Sequence, residues 1–180
     1  DDTLVLPLAT ALLQCLCGQL AVNEAPVCQC SLRPGVAPPP ADTCCNCGGS
    51  TTGQASVQVT DIFPVVAGKF PTRGLVGTMD NCASYEWAAE LTMVVYRCVS
   101  TADENGFPSV EELTADTTKI LNDAQAMRRA MLCCDWRDDD LGDPRRIVPG
   151  PWKPLSPLGG CAGGQQSVIV LLGSECCPVP

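Results

Sequence analysis

The sequence predicts an α+β fold: a mostly antiparallel sheet with an N-terminal helix and one long helix packed on one face, joined by long Pro-, Gly- and Cys-rich loops. Three observations lead there. The chain opens on an apolar segment with helical spacing, a second and longer helical segment starts at a capping box near Ser109, and β-patterned runs lie between and after the two. With 180 residues, the chain has the length of about one ordinary domain, so residues 1–180 are read as one. A chain of this size can bury a sizeable core, and a hydrophobic content of 46% argues against disorder.

In the first segment, Leu4, Leu8, Leu12, Cys15, Leu16 and Leu20 recur at three- or four-residue intervals and form one apolar face. Asp2 or Thr3 can cap this helix, Pro7 is tolerated in its opening turn, and Pro26 follows its expected end near Val22. The run is uncharged, but Thr10, Gln14, Gly18 and Gln19 dilute it, and Asp1-Asp2 stands where a signal peptide carries positive charge. It is therefore read as a buried helix, without a membrane.

Residues 27–32 suggest a short strand inside an otherwise irregular stretch, 23–56. Residues 55–63 alternate, with Val57, Val59 and Asp61 on one face and Gln58, Thr60 and Ile62 on the other. Residues 64–81 read as a loop. Residues 87–100 are the clearest strand, carrying Leu91, Met93, Val95 and Arg97 on one face and Thr92, Val94, Tyr96 and Cys98 on the other. Apolar residues on both faces suggest a central position.

Ser109 and Glu112 form a capping box that starts a helix at about Val110. Leu113, Thr117, Ile120, Leu121, Ala124, Met127 and Met131 are expected along its buried stripe. Residues 136–164 read as irregular, with Gly159 to Gly164 a flexible turn, and residues 167–172 as a last strand.

Chemistry is constrained by what is missing. The chain has 0 histidines, so Ser-His-Asp and Cys-His catalysis are impossible. The glycines at 159–164 precede a strand rather than a helix and do not make a phosphate loop. Asp138, Asp139, Asp140 and Asp143 lack calcium-loop spacing and read as a solvated acidic loop. A net charge of −9 with only 11 Lys and Arg argues against a nucleic-acid reader. No catalytic residue and no cofactor are assigned, and the expectation is a structural protein rather than an enzyme.

The 14 cysteines leave several readings open. Disulfides among Cys15, Cys17, Cys28, Cys30, Cys44, Cys45, Cys47, Cys82, Cys98 and Cys161 would tie the 23–56 loop to helix and sheet. Cys28, Cys30, Cys44 and Cys47 could instead supply a four-thiolate zinc site, although their spacing matches no recognised finger. Inert buried thiols, and a redox dithiol at Cys44 and Cys47, are the other readings.

Several phrases have a family character: "LQCLCGQL", "CQCSLRPG", "CCNCGG", "GQASVQVTDIFP", "AAELTMVVYRCVS", "AMRRAMLCCDW" and "GPWKPLSPLGGCAGGQQSVIVLL". Together they resemble a Cys-rich group of tail terminator or head–tail connector proteins from long-tailed (siphovirus) phages of actinobacteria. The resemblance covers nearly the whole chain. Its most specific parts are the paired cysteines and the Trp-x-Pro-Leu-x-Pro-x-Gly-Gly-Cys segment at 152–161; Gln165-Gln166 stands where the pattern has a tryptophan.

The resemblance implies a virion protein of the tail or neck, made in the host cytoplasm. Such subunits form a homo-hexameric ring on the last tail-tube ring, stop tube growth and meet a neck stopper protein, with DNA in the lumen. An acidic balance would suit a lumen that repels phosphate. The loops at 31–54, 64–82 and 136–164 are then expected contact surfaces. Phe70, Trp87 and Trp152 are candidate aromatic anchors, with Trp87 alternatively plugging the core. Another neck component, or a secreted disulfide-rich binding domain, are the competing readings.

Overall fold

Helix α1 (Val5–Val22) turns Val5, Leu8, Ala9, Leu12, Leu16 and Leu20 to one side, where they are buried. Its N-cap is Leu4, which makes no side-chain cap; the expected caps Asp2 and Thr3 lie outside the described residues. A computed structural model describes residues 4–36, 44–45, 52–74, 85–102, 106–135 and 146–173. Length and composition alone would let α1 cross a membrane, but here its apolar face closes a core. Leu12, Leu16 and Leu20 are fully buried, each worth about 1.5–3 kcal/mol relative to exposure.

Strands β1 (Gln29–Pro34), β2 (Gln54–Val66), β3 (Tyr85–Cys98), β4 (Ile147–Leu158) and β5 (Cys161–Gly173) form one sheet in the order β1-β2-β3-β5-β4. The pairing of β1 with β2 is parallel, and the other pairings are antiparallel. Helix α2 (Val110–Cys133) lies between β3 and β4 in sequence. Both helices pack on the same sheet face. Ala126, Met127, Ala130 and Met131 of α2 join the buried α1 side chains over Ala55, Val57, Ala89, Leu91, Met93, Val95, Val168 and Val170. The fold is therefore α+β, with a mostly antiparallel sheet and both helices on one side.

Central strand β3 carries the two-sided pattern its sequence implies, with Leu91, Met93 and Val95 under the helices and Val94 and Tyr96 on the opposite face. The capping box at α2 is present: the Glu112 backbone N–H donates to Ser109 Oγ, and the Ser109 N–H donates to Glu112 Oε2.

Four expectations are corrected. The alternation in β2 breaks where the register slips between Val59 and Asp61. Thr60 is the extra residue of a bulge, so beyond it Ile62 pairs with Ala89 while Phe63 and Val65 fall on the face opposite the helices. The buried stripe of α2 differs too. Asp116, Asp123, Ala124, Ala126, Met127, Ala130 and Met131 are buried, whereas Leu113, Thr117 and Leu121 are exposed.

Residues 147–158, read as irregular, form edge strand β4 despite Pro149, Pro151, Pro154 and Pro157. An edge strand tolerates proline because its outward N–H groups have no ladder partner. Register shifts at Pro149/Trp152 and Leu155/Leu158 accommodate the rest.

Finally, the glycine run is a turn only at Gly159 and Gly160, whose φ values of 58° and 78° suit a two-residue hairpin linking Leu158 to Cys161. Gly163 and Gly164 lie inside β5, and both are needed for close approach. A Cβ at Gly163 would stand 1.9 Å from the Val95 carbonyl oxygen, and one at Gly164 would strike the Trp152 ring at 2.4 Å.

Candidate functional site

Two features stand out from the scaffold: a sulfur cluster on the sheet face opposite the helices, and an apolar stripe on the outer side of α2.

The cluster arises from strand register. Cys98, at the end of β3, pairs directly with Cys161, at the start of β5. Above them lie the adjacent residues Cys44 and Cys45. Cys44 is bonded to Cys161 and Cys45 to Cys98, with Cα separations of 6.2 and 4.7 Å, inside the usual disulfide range. One dipeptide thus staples two neighbouring strands. Cys44 and Cys161 are buried together with Val94 and Tyr96, with Leu155 packed alongside. Burial raises the Tyr96 hydroxyl above its ordinary value, and the charge of Arg33 opposes that rise. The Gly53 N–H donates to the Cys44 carbonyl at 2.8 Å, anchoring the dipeptide beside the start of β2.

A third disulfide, Cys17–Cys30, ties α1 to β1 with a Cα separation of 6.5 Å. Cys28 is also disulfide-bonded. Cys15 stands half-buried on α1 against the core, outside the Cys17–Cys30, Cys44–Cys161 and Cys45–Cys98 bridges. Cys133 and Cys134 at the end of α2 are free thiols. Cys47 and Cys82 lie outside the described residues, as do Asp138, Asp139, Asp140 and Asp143. The zinc set Cys28, Cys30, Cys44 and Cys47 is not assembled as thiolates. Cys30 and Cys44 are bonded to other partners, and a sulfur within a disulfide has no thiolate to offer a metal.

Under the helices sits a buried ion pair. Arg97, on the buried face of β3, is held by Asp123 of α2: Nε donates to Oδ2 at 2.8 Å and Nη2 to Oδ1 at 2.7 Å. Nη2 also donates to the Ala25 carbonyl at 2.6 Å, and Nη1 to those of Pro26 and Thr52 at 3.1 and 3.4 Å. A guanidinium has five N–H donors, and each has an acceptor. This pair joins β3, α2 and the segments that follow α1 and precede β2. Burial pushes the Asp123 carboxyl up, and the Arg97 guanidinium opposes the shift. A cleft of about 310 Å³ opens beside Arg97, lined also by Glu24, Lys119 and Cys98.

The α2 stripe consists of Val110, Leu113, Thr114, Thr117, Thr118 and Leu121, spaced at three and four residues. Val110, Leu113 and Leu121 are 74%, 50% and 54% exposed, and Phe107 just before the helix is 93% exposed. The threonines add to its apolar character. Thr114, Thr117 and Thr118 each donate their hydroxyl to the carbonyl four residues earlier, at 2.7–2.8 Å. Their polar atoms are satisfied within the helix, so the stripe has little demand for water.

At the far end of the sulfur-bearing face, Phe63, Val65 and Ala88 form a small cluster with Phe70, Ile169 and Leu171. Arg73 lies 4.1 Å over the Phe63 ring and pairs with Asp61 and with Glu90, the latter at 3.4 Å. Phe70 is thus packed within its own chain, as is Trp152, half-buried against the main core over Gly164. Trp87 is half-buried on β3 opposite Pro64. Between the two ends the surface is polar, with Glu90, Thr92, Lys153, Gln165 and Ser167 around a shallow hollow.

The sequence reading named the cysteines of the staple without their partners. It missed the Arg97–Asp123 pair, although an arginine on the apolar face of a central strand is itself a signal that a carboxylate must be near. No protein-family model matches the chain, and no curated protein matches it.

Proposed function

We propose that this chain is a structural assembly subunit, the tail terminator of a long-tailed phage. It forms a ring at the head-proximal end of the tail tube, stops tube growth and joins tail to neck. The observation that carries the assembly role is the exposed α2 stripe. A helix of 24 residues that buries one side in its own core while presenting Leu113, Leu121 and three self-satisfied threonines on another is suited to a second protein surface. The resemblance of the Cys-rich phrases and of the 152–161 segment to phage terminators supplies the kind of assembly: a second copy of the same chain, arranged in a hexamer. The net charge of −9 suits a lumen through which DNA slides. No reaction is part of this reading.

Electron microscopy and light scattering of the full-length protein test it. Rings are expected for the unaltered chain. Leu113→Asp with Leu121→Asp should give monomers with unchanged helix content, since both positions are solvent-facing. A protein that remains monomeric at high concentration and ignores tube and neck proteins would refute the assignment; rings that survive the double substitution would refute the stripe as their interface.

The Cys17–Cys30, Cys44–Cys161 and Cys45–Cys98 disulfides favour a second reading, a secreted binding domain. A soluble, fully oxidised monomer that binds a target outside cells would select it.

A further inference from the structure

We propose that the four cysteines of the staple, Cys44, Cys45, Cys98 and Cys161, form a zinc site when the protein is reduced, so that the same residues close this face covalently in one redox state and through a metal in the other. The proposal rests on placement. The sulfurs of Cys44, Cys45 and Cys161 all lie within 4.8 Å of one another; that of Cys98 stands outside this set but is bonded to Cys45, and a side-chain rotation on release from the bridge is needed to bring it in. The two sulfurs on neighbouring residues, Cys44 and Cys45, are 3.7 Å apart and not bonded to each other. Four thiolates at about 2.3 Å from a tetrahedral zinc stand roughly 3.8 Å apart, so this pair already spans one edge of such a tetrahedron.

Backbone contacts other than the disulfides restrain three of the four positions, and the fourth, Cys45, is adjacent to one of them. Cys98 and Cys161 are fixed opposite each other by the β3–β5 ladder, and the Val99 N–H donates to the Gly160 carbonyl at 2.9 Å just beyond them. Cys44 is held through the Gly53 N–H. Cys44 and Cys161 are buried, whereas Cys45 is exposed and Cys98 half-buried, which leaves a way in for an ion. Four soft sulfur ligands select zinc over magnesium or calcium.

The chemistry balances as follows. Two molecules of a dithiol reductant cleave Cys44–Cys161 and Cys45–Cys98. Each bridge takes up two electrons and two protons, and each reductant becomes its own disulfide. The resulting four thiols release four protons to solvent as one Zn²⁺ binds, giving a tetrathiolate of charge −2. The set differs from one drawn from Cys28, Cys30, Cys44 and Cys47 in using Cys45, Cys98 of β3 and Cys161 of β5.

The test uses the full-length protein, reduced, freed of reductant under nitrogen and titrated with Co²⁺ and with Zn²⁺. The expected result is the visible spectrum of tetrahedral cobalt thiolate, displaced by zinc, with zinc shielding Cys44, Cys45, Cys98 and Cys161 from alkylation in peptide mapping. Cys45→Ser with Cys98→Ser should weaken zinc binding at these residues by more than about a hundredfold, beyond the cost of losing an outer partner; Cys17→Ser with Cys30→Ser should leave it unchanged. Zinc that shields a different set of cysteines, or a reduced protein that retains no metal, overturns the proposal. The alkylation map decides the matter on the unaltered chain even if a variant fails to fold.

Discussion

One face of the sheet is closed by a continuous apolar core from α1, α2 and the central strands. The other is covered in pieces, with a sulfur staple over Val94 and Tyr96 at one end and a small cluster under Phe70 at the other. The helix face relies mainly on hydrophobic burial, which is non-directional and itself indifferent to redox state, with the Cys17–Cys30 bridge added at its edge. Its buried charged pair, Arg97–Asp123, has every donor of the guanidinium met. The opposite face combines two small apolar clusters with specific partners, the Cys44–Cys161 and Cys45–Cys98 bridges and the Arg73 pairs, which depend on oxidation or charge. The lesson is that cysteines here do not substitute for a core. Cys44, Cys45, Cys98 and Cys161 fasten a second surface onto a sheet that already has one, and Cys17–Cys30 pins the first helix to the sheet edge.

The contrast can be broken most severely at the buried charged pair. Arg97→Ala leaves Asp123 buried without its partner and should cost about 3–5 kcal/mol of unfolding free energy in urea titrations. A loss below about 1 kcal/mol would show that the pair is dispensable to the helix face. Leu16→Ala, which empties a fully buried position, should cost about 2–5 kcal/mol. In a Cys17→Ser, Cys30→Ser background, which removes the bridge on Leu16's own helix, that cost should be the same with and without reductant, since Leu16 lies across the sheet from the Cys44–Cys161 and Cys45–Cys98 bridges. Unequal losses would mean that the two faces are coupled.

On the other face, Cys44→Ser with Cys161→Ser should lower stability by about 2–4 kcal/mol under oxidising conditions and by far less under reducing, metal-free ones. Arg73→Ala removes exposed pairs with Asp61 and Glu90 and the contact with Phe63. It should cost no more than about 1 kcal/mol, shrinking as salt is added.

The smallest effect concerns pH. Burial alone would raise the Asp116 carboxyl, but the Ser100 backbone N–H at 2.7 Å and Lys119 at 3.3 Å outweigh it and hold the group below its ordinary value. A depressed carboxylate contributes stability at neutral pH that is lost as pH falls through its folded value. Asp116→Asn should therefore lower the melting temperature slightly at neutral pH and flatten the decline in acid.

Local signals in the sequence survived where local physics decides. The Ser109–Glu112 box fixes the start of α2, and the alternation in β3 fixes its faces, because both depend on near neighbours. What was lost depends on distant ones. Nothing beside Thr60 announces a bulge. The prolines of β4 read as loop because sheet position, edge rather than centre, is not written in the strand itself. The stripe of α2 was misassigned for a related reason: Leu113 and Leu121 are as apolar as Met127 and Met131, and spacing cannot say which of two apolar faces the sheet will take. Fourteen cysteines permit far too many pairings for spacing to choose among them, whereas the β3–β5 register places Cys98 and Cys161 side by side at once.

The prolines of β4 have a wider consequence. Pro149, Pro151, Pro154 and Pro157 have no amide hydrogen to offer, and among the described residues the opposite border of the sheet is β1, only 6 residues long. Neither border is a good template for adding another chain strand by strand. If copies adhere as proposed, these edges favour contact through side chains, whose shapes fix an angle between neighbours. An array built that way can close on itself and end, whereas head-to-tail pairing of open sheet edges can extend without limit.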